Sequence, residues 1–213
     1  MIRIAVDGPG GAGKSTIAKA VAKELGIDYI DTGAMYRAIG YKMKENGIAA
    51  DDEKAVAEML ADTDIDFDSG NTVLDGRVVN KEIRTAQISE MASMCAALPA
   101  VREKLVALQR GMAASKSVIM DGRDIGTNVL RDAEYKFFMT ASPEERAKRR
   151  FEEMLEKGQK ADYADVLADI NARDHADMTR ELNPLRKADD ALELDTTGMS
   201  IEEVIAAIIK EIK

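Results

Sequence analysis

The run Gly8-Pro9-Gly10-Gly11-Ala12-Gly13-Lys14-Ser15 constrains this chain more than any other feature of its sequence. It fits G-x-x-x-x-G-K-[ST] in full and stands between an apolar run, residues 2–7, and the helical spacing of Ile17, Val21 and Leu25. A glycine-rich turn between a strand and a helix can curl until successive backbone N–H groups aim at one phosphate. The helix N-terminus adds roughly half a positive charge there. Lys14 is placed to reach the outer phosphates, and the Ser15 hydroxyl suits Mg²⁺. Residues 8–15, with Thr16 after them, are the candidate contacts for a nucleoside triphosphate.

Around this loop the periodicity alternates. Residues 2–7 and 28–31 read as strands, and 14–25 and 33–46 as helices closed by Gly26 and Gly47. After a helix at 52–61 the pattern changes. Ile65 and Phe67 alternate with aspartates, and Ser69-Gly70-Asn71 and Asp75-Gly76 are turn signals, so 65–79 reads as an antiparallel meander of two or three strands. Helices follow at 87–97 and 99–115, strands at 117–121 and 135–140, helices at 143–157 and 162–180, and a strand at 191–195. Ser142 with Glu145 and Ser200 with Glu203 are capping boxes, the second opening an amphipathic C-terminal helix. The expected architecture is α/β: a five-stranded parallel sheet core with helices on both faces, a small antiparallel-sheet insert and a short helical lid. Asp121 ends an apolar strand and is the second candidate oxygen for a metal; a helix or turn cap is the alternative.

Composition narrows the chemistry. Thirty Lys+Arg against 39 Asp+Glu leave a net charge of −9, which argues against nucleic acid as a partner. One cysteine, Cys95, excludes an internal disulfide framework. No apolar run approaches the roughly 18 residues that span a membrane, and the N-terminus lacks a signal-peptide layout. A cytoplasmic monomer is expected. An N-K-x-D motif of the GTPases is missing: Asn80-Lys81-Glu82-Ile83 lacks the aspartate, and the D-x-x-G at residues 195–198 reads as a loop. Phosphoryl transfer to a small molecule remains. A kinase must hold a second phosphate against the first, so the arginines matter. Arg123 follows a parallel strand, where such sheets bind ligands. Arg37 lies one turn into a helix and Arg102 early in another. Arg146, Arg149 and Arg150 sit on the capped helix, where solvated surface charge is the alternative. Arg173 and Arg180 lie seven apart on the next helix, and so on one face, with Asp177 between them. The segment around Gly158 is a candidate hinge. His175 reads as a surface residue, and Cys95 and the methionines as core.

Four segments in order, the phosphate loop, D-T-G-x-x-Y-R at 31–37, D-G-R-D-I-G-T at 121–127 and R-D-x-x-D-x-x-R at 173–180, resemble the bacterial cytidylate kinases over essentially the whole chain. The resemblance implies a P-loop NTPase fold and transfer of the γ-phosphate of Mg·ATP to CMP or dCMP. It implies a core of residues 1–31, 86–145 and 181–213, a monophosphate-binding region at 32–85 and a lid at 146–180. It implies that Arg37, Arg123 and Arg180 grip the CMP phosphate, that Ser93, Arg102 and Asp124 read cytosine, and that Arg173 and Asp177 hold sugar hydroxyls beside Thr32 and Tyr36. Lys14, Arg123, Arg180 and Arg149 would serve the transfer, Arg150 would meet ATP, and Ser15 and Asp121 would meet Mg²⁺. Ser93 is the least distinctive of these; a helix serine without a ligand is its alternative. The same fold acting on AMP, UMP or shikimate, and an ATP-binding regulator, are the rival readings.

Overall fold

The computed structural model describes residues 1–68 and 70–212; Ser69, the first residue of an expected turn, and Lys213 lie outside them. The first elements are β1 (Arg3–Asp7), α1 (Lys14–Leu25), β2 (Asp28–Asp31) and α2 (Thr32–Glu45). Next come α3 (Glu53–Ala61), β3 (Ile65–Asp68), β4 (Asn71–Leu74), β5 (Arg77–Val78), α4 (Ala86–Cys95) and α5 (Pro99–Ala114). The chain closes with β6 (Val118–Gly122), β7 (Tyr135–Thr140), α6 (Pro143–Glu156), α7 (Tyr163–Thr179), β8 (Leu192–Asp195) and α8 (Ile201–Ile212). Contacts group these into two compact units, Met1–Tyr29 with Lys116–Lys213, and Ile30–Ser115.

The parallel sheet has the order β2-β6-β1-β7-β8, and all of it but the last two residues of β2 belongs to the first unit. β1 pairs in parallel with β6 and β7, and β7 with β8. Ile4, Val6, Ile119, Phe137 and Met139 bury one face against Ile17, Ala18 and Val21 of α1 and Val204, Ile208 and Ile209 of α8. That packing puts the N-terminus of α1 just beyond the carboxyl end of β1, where loops of open α/β sheets bind ligands. At the opposite end of α1, Gly26 takes a left-handed conformation and its N–H returns to the Ala22 carbonyl.

The second unit holds α2, α3, α4, α5 and the antiparallel sheet β3-β4-β5. Asp75 and Gly76 both have positive φ, 49° and 76°, the conformation a two-residue hairpin turn requires. Helix α4 packs on α2 at Gly40, where a Cβ would stand 3.0 Å from that of Met91 and 3.3 Å from the Ala92 nitrogen. The division drawn from the sequence put residues 86–115 with the core, whereas α4 and α5 pack with α2 and α3.

Three local expectations change. The Ser142 hydroxyl accepts from the Glu145 N–H as a cap should, but Glu145 does not return the bond: its carboxylate is drawn to Arg149, and the Ser142 N–H donates to Thr197 Oγ1. By contrast, Ser200 and Glu203 form both bonds of their box. Helix α7 stops at Thr179, and Arg180 is extended (φ −59°, ψ 142°) rather than on a shared face with Arg173. The chain turns back at Asn183, so that Leu185 N–H reaches the Asp177 carbonyl and Arg180 itself donates to the Asn183 carbonyl. Residues 125–129 form a single π turn that no sequence periodicity announced.

Candidate active site

The phosphate loop is built as its glycines demand. Gly8, Gly11 and Gly13 have φ of 147°, 77° and 84°. At Gly8 a Cβ would stand 2.0 Å from the Met139 carbonyl oxygen, so β7 admits nothing larger there. Lys14 is buried, with Nζ donating to the Pro9 carbonyl at 2.7 Å. Burial, and then the nearby Arg123 guanidinium, pull its ammonium well below the ordinary lysine range. A dianionic phosphate arriving there would restore the charged form.

Ser15 Oγ donates to Asp121 Oδ2 at 2.7 Å, and the Tyr29 hydroxyl to Asp121 Oδ1 at 2.8 Å. Asp121 lies inside β6, not at a cap, and is buried. A hydroxyl and a carboxylate in contact offer the hard oxygen donors that Mg²⁺ selects, so this pair fits the ion. Tyr29, which orients the carboxylate, gave no signal in the sequence beyond its place in β2.

At the end of β6 four of the expected substrate residues pair off. Arg123 Nε donates to Asp177 Oδ2 at 2.7 Å, and Arg180 Nη2 to Asp124 Oδ1 at 3.2 Å. Asp124 Oδ2 also accepts from Asn128 Nδ2. Burial raises the Asp177 carboxyl, but Arg123, with Arg173 and Arg180 behind it, wins and holds it below the ordinary aspartate value. A Cβ placed on Gly10 would lie 3.4 Å from Arg123 Nη2 and 3.9 Å from Arg173 Cδ, so both arginines border the phosphate loop. Asp7, which the sequence reading passed over, orients this corner: its carboxylate accepts from the Ile125 and Gly126 N–H groups at 2.8 and 2.7 Å. Burial pushes Asp7 up to about 6 despite those donors.

Beside the loop lies a cavity of about 590 Å³, with Ala12, Gly13 and Thr16 on one wall, Met139 and Met199 among its apolar lining, and Arg149 at its edge. Arg149 is fixed by Glu145 and by the Thr196 carbonyl. The 196–201 contribution to this wall was missed in the sequence, where those residues read only as a loop and a helix start. Arg150 is not in the cavity lining; it faces Glu153, about half exposed. Arg146 is not solvated at all: its side chain is 3% exposed.

In the second unit, Asp31 caps α2 through the Ala34 N–H and holds Arg37 Nη2 at 3.1 Å. Gly33 lies under that pair, where a Cβ would come within 3.1 Å of Arg37 Nη1. The Arg37 Nε is buried and has no hydrogen-bond partner among the described residues. Thr32 is buried at the start of α2. Arg102, also buried, stands 6.0 Å over the Tyr36 ring. Ser93 Oγ turns back to the Ser89 carbonyl at 3.4 Å, a long bond for a hydroxyl. His175 is exposed on α7, and Cys95 is buried against Met43, its thiol pushed up to about 11 by burial.

The family model for cytidylate kinase matches residues 4–213. The chain belongs to the cytidylate kinase family. It is 52% identical over 209 residues to a cytidylate kinase of Clostridioides difficile, covering 98% of this chain and 97% of that one. It is 49% identical over 212 residues to one from Caldanaerobacter subterraneus subsp. tengcongensis, covering 100% and 95%. Among solved structures, an uncharacterized protein from Eubacterium ventriosum aligns with a TM-score of 0.58 at 14% identity, covering 100% of this chain and 98% of that one. A shikimate kinase from Bacteroides thetaiotaomicron aligns at 0.50 and 15%, covering 99% and 98%. At such identities these two establish the fold alone.

Proposed function

We propose that this chain transfers the γ-phosphate of Mg·ATP to CMP or dCMP, giving ADP and the nucleoside diphosphate, as a cytoplasmic monomer. The observation that carries this reading is the meeting of Lys14, Arg123, Arg173, Asp177 and Arg180 around a phosphate loop in a chain of this family. A hydrolytic ATPase has no use for so many additional phosphate ligands.

Residues 8–16 would hold the triphosphate, with adenine in the cavity that Arg149 borders. Ser15 and Asp121 would hold Mg²⁺, which shields the phosphate charge and so supplies electrostatic activation when bound. Lys14, Arg123, Arg180 and Arg149 would stabilise the charge that spreads over the transferring group. No nucleophile or dedicated base is required, because phosphoryl transfer is chiefly positioning and charge stabilisation. Arg37, Arg123 and Arg180 would grip the acceptor phosphate. A phosphate taking Arg123 competes with Asp177, which would then be released to serve the sugar hydroxyls with Arg173; Thr32 and Tyr36 would serve the same substrate. Asp124 would accept from the cytosine amino group, since a carboxylate engaged by Arg180 and Asn128 keeps further lone pairs. Arg102 and Ser93 would donate to the ring acceptors. Uracil sets a carbonyl oxygen against the Asp124 carboxylate, two acceptors with no proton to share between them. The hairpin of α6 and α7 would act as the lid, hinged near Gly158. Arg150 has the weakest claim, since it faces Glu153.

Incubating the protein with ATP labelled at the γ-position, Mg²⁺ and CMP tests this reading. The expected product is labelled CDP in step with ADP; labelled inorganic phosphate alone would refute it.

A further inference from the structure

Of the three arginines on α6, Arg146 is the one with all three of its nitrogens committed. Nε donates to the Ala141 carbonyl at 2.9 Å, and Nη1 to the Gly10 carbonyl at 3.0 Å and to Asp174 Oδ1 at 3.1 Å, while Nη2 meets Asp174 Oδ2. A guanidinium 3% exposed, bound at both prongs to a carboxylate 16% exposed, is costly to desolvate and needs near-complete hydrogen bonding to persist. Nothing in the proposed transfer uses it.

Its contact with Gly10 has a directional consequence. In a trans peptide the carbonyl and the following N–H point to opposite sides of the chain. No described peptide bond is cis. An arginine that holds the Gly10 oxygen toward α6 therefore turns the Gly11 N–H away from α6. The next carbonyl back, that of Pro9, is held by Lys14. Two adjacent peptides of the loop are thus set by two cations. Lys14 has to turn toward a phosphate when it engages one, whereas Arg146, locked by Asp174, need not move. Gly11 also packs on the arginine stem, where a Cβ would stand 3.4 Å from Arg146 Cβ.

We propose that Arg146, clamped by Asp174, is a positioning residue that holds the phosphate loop in its triphosphate-binding curvature by anchoring the Gly10 carbonyl. This rests on the loop being the ATP phosphate cradle, and it is independent of which acceptor the enzyme uses.

Titration calorimetry on the full chain tests it, with inorganic tripolyphosphate, ATP and adenosine as probes and CMP as a control. Arg146→Lys keeps the charge but cannot span the three acceptors; Asp174→Asn keeps the shape and loosens the clamp. The affinities of tripolyphosphate and ATP should fall together by about tenfold or more in Arg146→Lys, and by less in Asp174→Asn. Adenosine and CMP should stay within about twofold, because neither probe needs the loop N–H groups. The proposal is overturned if tripolyphosphate binding is unchanged in both variants, or if adenosine and CMP weaken in proportion, which would mark the clamp as general scaffolding. If wild type binds ATP and tripolyphosphate but phosphorylates another acceptor, the acceptor reading fails and the clamp stands.

Discussion

At the scale of single residues, charge sits where burial makes it expensive unless a ligand repays it. Lys14 is the clearest case. Lys14→Ala should leave the fold intact and lower kcat by about 10²–10³-fold, as loss of one preorganised donor does; steady-state rates beside a thermal melt check both halves. In the proposed reading, Asp124 is the residue that selects the base. Asp124→Asn should cost about 10- to 100-fold in kcat/KM for CMP, the worth of a charge-assisted bond, while UMP turnover stays the same or improves. Asp7 gives a pH signature. Its folded value of about 6 lies above the ordinary 3.8, so between those values the folded chain binds more protons than the unfolded one. Stability contributed by this group is therefore lost as pH rises through that window. The stability gap between wild type and Asp7→Asn should shift toward the variant by up to about 3 kcal/mol from about pH 4 to about pH 7, read by urea unfolding. A shift in the other direction would mean that the two backbone donors outweigh burial.

Single residues were legible in the sequence to the extent that their motif states their job. The loop glycines, Lys14, Ser15, Asp121 and Arg123 stand where the pattern put them. Arg146 and Asp7 were not legible, because their work depends on partners far along the chain: Asp174 is 28 residues from one, and Ile125 118 from the other. An arginine in a capped first turn looks the same in sequence whether it is solvated or clamped.

At the scale of elements, spacing and caps did most of the work. The bounds of α1, β2 and β7 match their periodicity to the residue, since each is closed by a glycine, a capping aspartate or a Ser-Pro start. Turns that obey tertiary contacts instead were hidden: the π turn at 125–129 is held by Asp7, and the end of α7 is set by the Asn183 fold-back. Strand packing makes one sharp prediction. Gly8→Ala would drive a methyl into the Met139 carbonyl of β7, with no flexible side chain to yield. It should cost at least about 2 kcal/mol, seen as a fall in the urea midpoint at constant m-value. The milder Gly40→Ala would set its methyl 3.0 Å from Met91 Cβ and 3.3 Å from the α4 backbone, a smaller overlap, and its cost should be smaller.

At the scale of the whole molecule, the parallel sheet and the antiparallel insert were both readable, because period-two and turn chemistry differ so plainly between them. The grouping of α4 and α5 with α2 was not, since helix-on-helix packing at Gly40 leaves no more trace in sequence than a small residue. Light scattering should give a mass near 23.2 kDa at micromolar concentration; twice that would contradict the monomer. The central claim is the reaction and its base selectivity together. Its most direct measurement is kcat/KM for ADP release from Mg·ATP with CMP, dCMP, UMP, AMP, GMP and shikimate under one set of conditions. Turnover confined to CMP and dCMP, with the others lower by about 10²-fold or more, is the predicted result. Equal turnover with UMP, or a preference for AMP or shikimate, would contradict it.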